Sequence, residues 1–123
     1  AGPVCGRALA AYGADVMLVN SPHLPNIETI AETSRGKLSV HADLETADGR
    51  IALSNLLRSA HVFVQGYRPG ALASVGFSPE EIARIRPGIV YVSLSAYGDS
   101  GPWAQRRGFD SLVQTATGFN HAI

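Results

Sequence analysis

Residues 60–95, AHVFVQGYRPGALASVGFSPEEIARIRPGIVYVSLS, decide the fold. Ala60 to Gln65 is a short apolar run rich in β-branched residues, and Ile89 to Ser95 is a second, clearer one. Runs of that length and composition read as strands. Between them, Ser78-Pro79-Glu80-Glu81 has the form of a capping box, with Ser78 as N-cap, Pro79 at the first helical position and Glu81 at the third. A helix therefore starts there and stops near Arg86-Pro87-Gly88. Pro69 is placed to start a shorter helix that Gly76 closes. Strand, helix, strand with short connections predicts parallel pairing.

The same alternation extends towards both ends. Upstream, the pattern predicts a helix over about 3–12, with Pro3 in its first turn, Val4, Ala8 and Ala11 on its apolar face and Gly13 just beyond its end. A buried parallel strand follows over 14–19. Residues 21–26 hold two prolines and read as loop, and 27–33 as a helical turn. A second strand is expected over 37–42, then a helix opened by Thr46 to Arg50 whose Ile51, Leu53, Leu56 and Leu57 face the core. Downstream, a Gly-rich loop over 96–108 leads to a helical pattern from about 110. The whole predicts an α/β fold, a Rossmann-like, mostly parallel sheet with helices on both faces. Its 123 residues, 46% hydrophobic, suit one domain.

Composition narrows the function classes. Ten basic and ten acidic residues cancel, and the longest basic run is the pair Arg106-Arg107. Neither nucleic acid nor an anionic membrane is an expected partner. Cys5 is the single cysteine, more consistent with packing on the first helix than with a nucleophile, and no disulfide is expected. With no signal-peptide pattern and no long apolar run, cytoplasm is the expected compartment. The chain opens at Ala1-Gly2-Pro3 without an initiator Met and closes on Phe119 to Ile123 without a stop signal, so a partial domain cut at both ends is expected.

Ligands of such sheets bind beyond the carboxyl ends of the strands. Asn20 to Pro22, Gly66 to Gly70 and Ala96 to Gly101 are the candidate loops. Gly66-Tyr67-Arg68-Pro69-Gly70 sets an arginine, an aromatic ring and a potential helix N-terminus at one strand end, a combination able to hold phosphates. On spacing alone, an ordinary turn with a solvated arginine is the plainer reading. Gly98-Asp99-Ser100-Gly101-Pro102 alone reads as a loop. Asp110 stands at a helix start, where capping is the plainer role. Ser111 has no partner spaced for a triad, and Gly-x-Ser-x-Gly is absent. His23, His41, His61 and His121 are scattered, so no metal site is expected. Neither dinucleotide-binding nor P-loop glycine spacing occurs.

Four stretches taken together resemble CoA-transferase family III, the CaiB/BaiF group of carnitine and formyl-CoA transferase type. They are Ala1-Gly2-Pro3 with Leu9 to Val16; Asp48-Gly49-Arg50; Arg68 to Leu72 with Gly76-Phe77; and Tyr91-Val92-Ser93 through Tyr97-Gly98 and Gly101-Pro102 to Gly108-Phe109-Asp110. The resemblance implies an interlocked homodimer and transfer of CoA between carboxylic acids, with acyl-CoA as substrate and no permanently bound cofactor. It implies an aspartate nucleophile beyond Ile123, so that no catalytic residue lies within the chain and the chain alone does not turn over. It implies CoA contacts from Tyr67, Arg68, Pro69, Gly70, Lys37, Tyr97 and Gly98, and a cleft near Gly2, Pro3 and Asp110. Related racemases carry a histidine where this chain has Phe109, which disfavours that reaction; a racemase or CoA-ester lyase of the same fold and a non-catalytic acyl-CoA-binding homologue are the alternatives. Asn20, Leu38, Gln65-Gly66 and Ser74 stand where the family more often has charged or polar groups, leaving Arg68 as the best phosphate partner. The resemblance also implies a missing first strand and swapped partner, and hence an exposed apolar face.

Overall fold

The computed structural model describes residues 1–25 and 30–121. Helix α1, Gly2–Ala11, leads to strand β1, Met17–Asn20, and after the short helix α2, Ile30–Thr33, to β2, Leu38–His41. Helix α3, Ala47–Ser59, precedes β3, Val62–Gln65. A 3-10 turn, Ala73–Val75, and helix α4, Pro79–Ile85, connect β3 to β4, Val90–Ser93, and α5, Asp110–Ala116, follows. The predicted strands and the helices α1, α3, α4 and α5 are present among the described residues; the part of the expected helical turn at 27–29 and the loop position 26 lie outside them.

β1 pairs with β2, and β3 with β4, both in parallel, as two two-stranded sheets. The parallel α/β reading holds, but the strands do not join into one ladder among the described residues. Helices cover opposite faces, as the side-chain alternation along β3 shows. Val64 lies under α1, where a Cβ on Gly2 would be 3.6 Å from it. Phe63 instead joins the core of Leu53, Leu57, Leu72, Phe77 and Ile82, together with Val19 and Tyr91. Leu57 and Ile82, from α3 and α4, are the largest fully buried side chains.

Local chemistry fixes the helix ends. Thr46 Oγ1 accepts the Gly49 amide at the start of α3, and Ser78 and Glu81 exchange both bonds of the expected capping box at the start of α4. Tyr12 ends α1, and Gly13 and Gly76, both in the left-handed region, follow α1 and the 3-10 turn as expected.

Several expectations are corrected. Ile51 is 58% exposed, because it sits two residues, or about 200° of helical rotation, from buried Leu53. Helix α1 buries no residue and turns Val4, Ala8, Ala11 and Cys5 outward. Its inner face is the small-residue line Gly2, Gly6 and Ala10, which meets Leu94 and Val64, then Lys37 and Val16, then Gly36. Small side chains let the helix lie close to the strands, and the wider face stays in solvent. The first strand is not covered on both faces: Met17 is 40% and its partner Leu38 64% exposed. Apolar surface is open elsewhere too, at Val90, Phe109 and Leu112. Pro69 starts no helix; it lies in a turn closed by Ala71 N–H to Arg68 O and Ser74 N–H to Gly70 O, and helical structure begins only at Ala73.

Candidate functional site

All four strands end towards the same group of loops, and two grooves open there. The first, about 280 Å³, lies between Ser21, His23 and Leu24 after β1, Asp43, Leu44 and Glu45 after β2, and Tyr67 and Leu72 after β3. The second, about 200 Å³, is lined by Gln65, Arg68, Pro69 and Gly70 after β3, by Tyr91, Ser93 and Asp99, and by Phe77 and Pro79. Leu72 belongs to both. The 66–70 loop is therefore a ridge, with Tyr67 facing one groove and Arg68 the other.

Residues of the Asp48-Gly49-Arg50 stretch build the wall of the first groove. Gly49 is buried against the Asp43 backbone, leaving no room for a Cβ, and Arg50 Nη1 donates to the carbonyls of Leu44 and Glu45 at 2.9 and 3.0 Å. Asp43 is held at the rim: Oδ1 accepts the Glu45 amide at 3.0 Å, and Oδ2 contacts His23 Nε2 at 2.9 Å. That hydrogen bond and the carboxylate charge raise the His23 pKa above its ordinary 6.5. The same bond, with the Glu45 amide, lowers that of Asp43. Glu45 lies close to both, so the three offer ligand atoms within 4.8 Å of one another. The protein itself engages both Asp43 oxygens.

In the second groove, burial raises the Tyr91 pKa, and its ring tilts against Phe63 with centroids 5.5 Å apart. Gln65 bridges the strand ends. Its Nε2 donates to Ser93 Oγ at 2.7 Å and its Oε1 accepts the Tyr67 amide at 2.7 Å. An analogous amide-to-serine bond, Asn20 Nδ2 to Ser39 Oγ at 2.9 Å, ties β1 to β2.

The sequence-predicted site residues fall into separate places. Tyr67 lines the first groove, and Arg68, Pro69 and Gly70 line the second. Lys37 lines neither; its Nζ donates to Pro3 O at 2.7 Å and its stem covers Gly6, where burial lowers its pKa. Gly2 and Pro3 thus lie together with Lys37 at the start of α1, beside Val64 and Leu94. Tyr97 packs edge-on to Trp103 at 5.3 Å and against Gly108, with Arg106 stacked 5.1 Å over the Trp103 ring. Gln105 Nε2 to Pro69 O at 3.3 Å joins that loop, including Gly98, to the ridge. Asp110 does not cap α5: Phe109 is the N-cap residue, with no side-chain cap bond, and Asp110 Oδ2 accepts from Gln114 at 2.6 Å one turn on. The loop after β2 escaped the sequence reading, although the strand-end rule applied equally to 42–46.

The model of CoA-transferase family III matches residues 1–123. The chain belongs to that family. It is 33% identical over 138 residues to succinate–glutarate CoA-transferase of Agrobacterium fabrum, covering 97% of this chain and 34% of that one. It is 28% identical over 130 residues to formyl-CoA:oxalate CoA-transferase of Escherichia coli, covering 95% and 31%. Among solved structures, a CaiB/BaiF family protein from Brucella suis superposes with a TM-score of 0.84 at 33% identity, covering 96% of this chain and 35% of that one. Rv3272 from Mycobacterium tuberculosis superposes with 0.88 at 31% identity, covering 100% and 36%. The chain spans about a third of the length of the curated relatives it matches. No helix among its described residues is long and apolar enough to cross a membrane.

Proposed function

We propose that this chain is the CoA-binding part of an enzyme that moves CoA between carboxylic acids. The observation that carries the reading is the ridge at 66–70, which sets an aromatic ring and a guanidinium on opposite sides of one strand end, in a chain of this family. Tyr67 and Leu44 offer apolar and aromatic surface for a purine, and Arg68 offers a planar, permanently charged fork for phosphate oxygens. Tyr97 and Gly98, in the loop joined to the ridge through Gln105, are proposed as further CoA contacts with Lys37, and Gly2, Pro3 and Asp110 as part of the substrate cleft. Acyl-CoA and a second carboxylic acid are the proposed substrates, and an interlocked homodimer in the cytoplasm the proposed assembly and setting.

The chemistry proposed for the whole enzyme uses an aspartate C-terminal to residue 123. Its carboxylate attacks the thioester carbonyl and expels CoA thiolate, leaving a mixed anhydride. The thiolate then attacks the aspartyl carbonyl, releases the donor acid and forms an aspartyl-CoA thioester. The acceptor carboxylate displaces CoA through a second anhydride, which the thiolate opens on the acceptor side to regenerate aspartate. This chain's own part is to bind and orient the CoA.

The test is to express the whole reading frame, incubate it with an acyl-CoA and hydroxylamine or borohydride, and map modified residues by mass spectrometry. An adduct on an aspartate beyond residue 123 is the expected result. A protein that binds CoA yet remains unmodified would point to a racemase, a lyase or a binding protein instead.

A further inference from the structure

We infer that Gln65 is the positioning residue that shapes the 66–70 ridge for its ligand; this rests on the CoA-binding reading above. Gln65 and Ser93 face each other as the last register pair of β3 and β4, and Leu94 N–H to Gln65 O closes the backbone ladder. Beyond that point the pairing of the two strands ends, and the ridge has to be held by something other than the sheet. Gly66 cannot hold it, since it has no side chain and only open space where a Cβ would be.

The Gln65 carboxamide does, because it carries both an acceptor and donors. Oε1 takes the Tyr67 amide proton two residues on, and Nε2 gives a proton to Ser93. The first bond fixes the 66–67 peptide plane, and the second fixes the carboxamide itself against β4. With that plane set, the chain leaves the strand end in one direction, and Tyr67 lines one groove while Arg68 lines the other. Gln105, bonded to Pro69 O, holds the far end of the same segment. At that far end the turn bonds from Ala71 N–H to Arg68 O and from Ser74 N–H to Gly70 O hold the segment as well, so the end next to β3 is the one that rests on Gln65.

The chemistry separates two substitutions. In Gln65→Met both bonds disappear with little change in length. In Gln65→Glu the carboxylate still accepts from Tyr67 N–H, and the Ser93 hydroxyl can turn round to donate, so the shape of the ridge is kept.

The experiment uses the protein expressed from its whole reading frame. It measures Tyr67 amide hydrogen exchange by NMR and CoA affinity by calorimetry. Gln65→Met is expected to lose Tyr67 protection and bind CoA about tenfold more weakly. Gln65→Glu should restore protection and come within about threefold of the wild-type affinity, and Ser93→Ala should cost about threefold. Ser93→Ala also stands in if Gln65→Met does not fold. Retained Tyr67 protection, or wild-type CoA affinity, in Gln65→Met overturns the inference. A wild-type protein that ignores CoA counts against the CoA reading instead, and the exchange of Tyr67 then decides alone whether Gln65 holds the ridge.

Discussion

The Asp43 carbonyl occupies the space into which a side chain on Gly49 would project. Helix α3 can start where it does only because position 49 lacks a Cβ, and the segment 43–46 that it supports forms one wall of the larger groove. Gly49→Ala must push the helix and this wall apart. A loss of about 2 kcal/mol is expected, the usual scale for forcing an extra carbon into a packed site. Urea unfolding of wild type and variant measures it, and equal midpoints would show that the segment yields freely.

His23 and Asp43 make a pH-dependent latch on the rim of that groove. The His23 pKa is raised above 6.5, so its contribution is complete below 6.5 and disappears as pH rises through the raised value. The Asp43 pKa is lowered below 3.8, so its contribution is complete above 3.8 and disappears as pH falls through the lowered value. The latch is whole between those ordinary values, and being solvent-exposed it adds little to global stability. In an NMR titration of His23, Asp43→Asn should bring its pKa back down towards 6.5. An unchanged titration would mean the pair does not form.

Two isoleucines separate by helix face. Ile82 is fully buried and Ile51 mostly exposed. Ile82→Ala should cost about 2–5 kcal/mol of unfolding free energy, through lost burial and the cavity left behind. Ile51→Ala should stay within about 0.5 kcal/mol of wild type. Denaturant midpoints decide, and similar losses at both positions would contradict the packing described for α3 and α4.

The capping box gives a smaller effect of the same kind. Ser78 Oγ accepts the Glu81 amide at 3.2 Å, and Glu81 Oε2 accepts the Ser78 amide at 2.9 Å. Ser78→Ala removes the first bond and should cost about 1 kcal/mol, with Ser78→Thr much closer to wild type. Thermal unfolding of the three proteins provides the comparison.

Punctuation residues made the element order readable. Gly13, Gly76 and the Ser78 to Glu81 box each encode an end through local backbone geometry, which needs no knowledge of distant contacts. Which face of a helix is buried depends on what packs against it, and there the reading went astray. Val4, Ala8 and Ala11 form a regular apolar stripe, yet α1 packs through Gly2, Gly6 and Ala10, because close approach mattered more than hydrophobicity. At the site, the loop of Tyr67 to Gly70 was visible as a strand end with an arginine. Its division into two faces was not, since that depends on Gln65 reaching Ser93, a residue 28 positions away. The pairing of His23 with Asp43, 20 positions apart, was hidden for the same reason.

The separation of the strands into two pairs has a consequence for how the molecule opens. Side chains, not a shared ladder, hold β1–β2 to β3–β4 among the described residues, and the large buried side chains of the core come from α3, α4 and the segment 72–77. Sub-global opening follows such seams, and the unit with fewer buried apolar contacts opens at the lower free energy. The β1–β2 unit is therefore the more weakly anchored. The larger groove crosses the seam, with His23 and Asp43 on the β1–β2 side and Tyr67 and Leu72 on the other. A ligand seated there acts as a rivet, and by mass action it should slow amide exchange of β1 and β2 far more than that of the core helices.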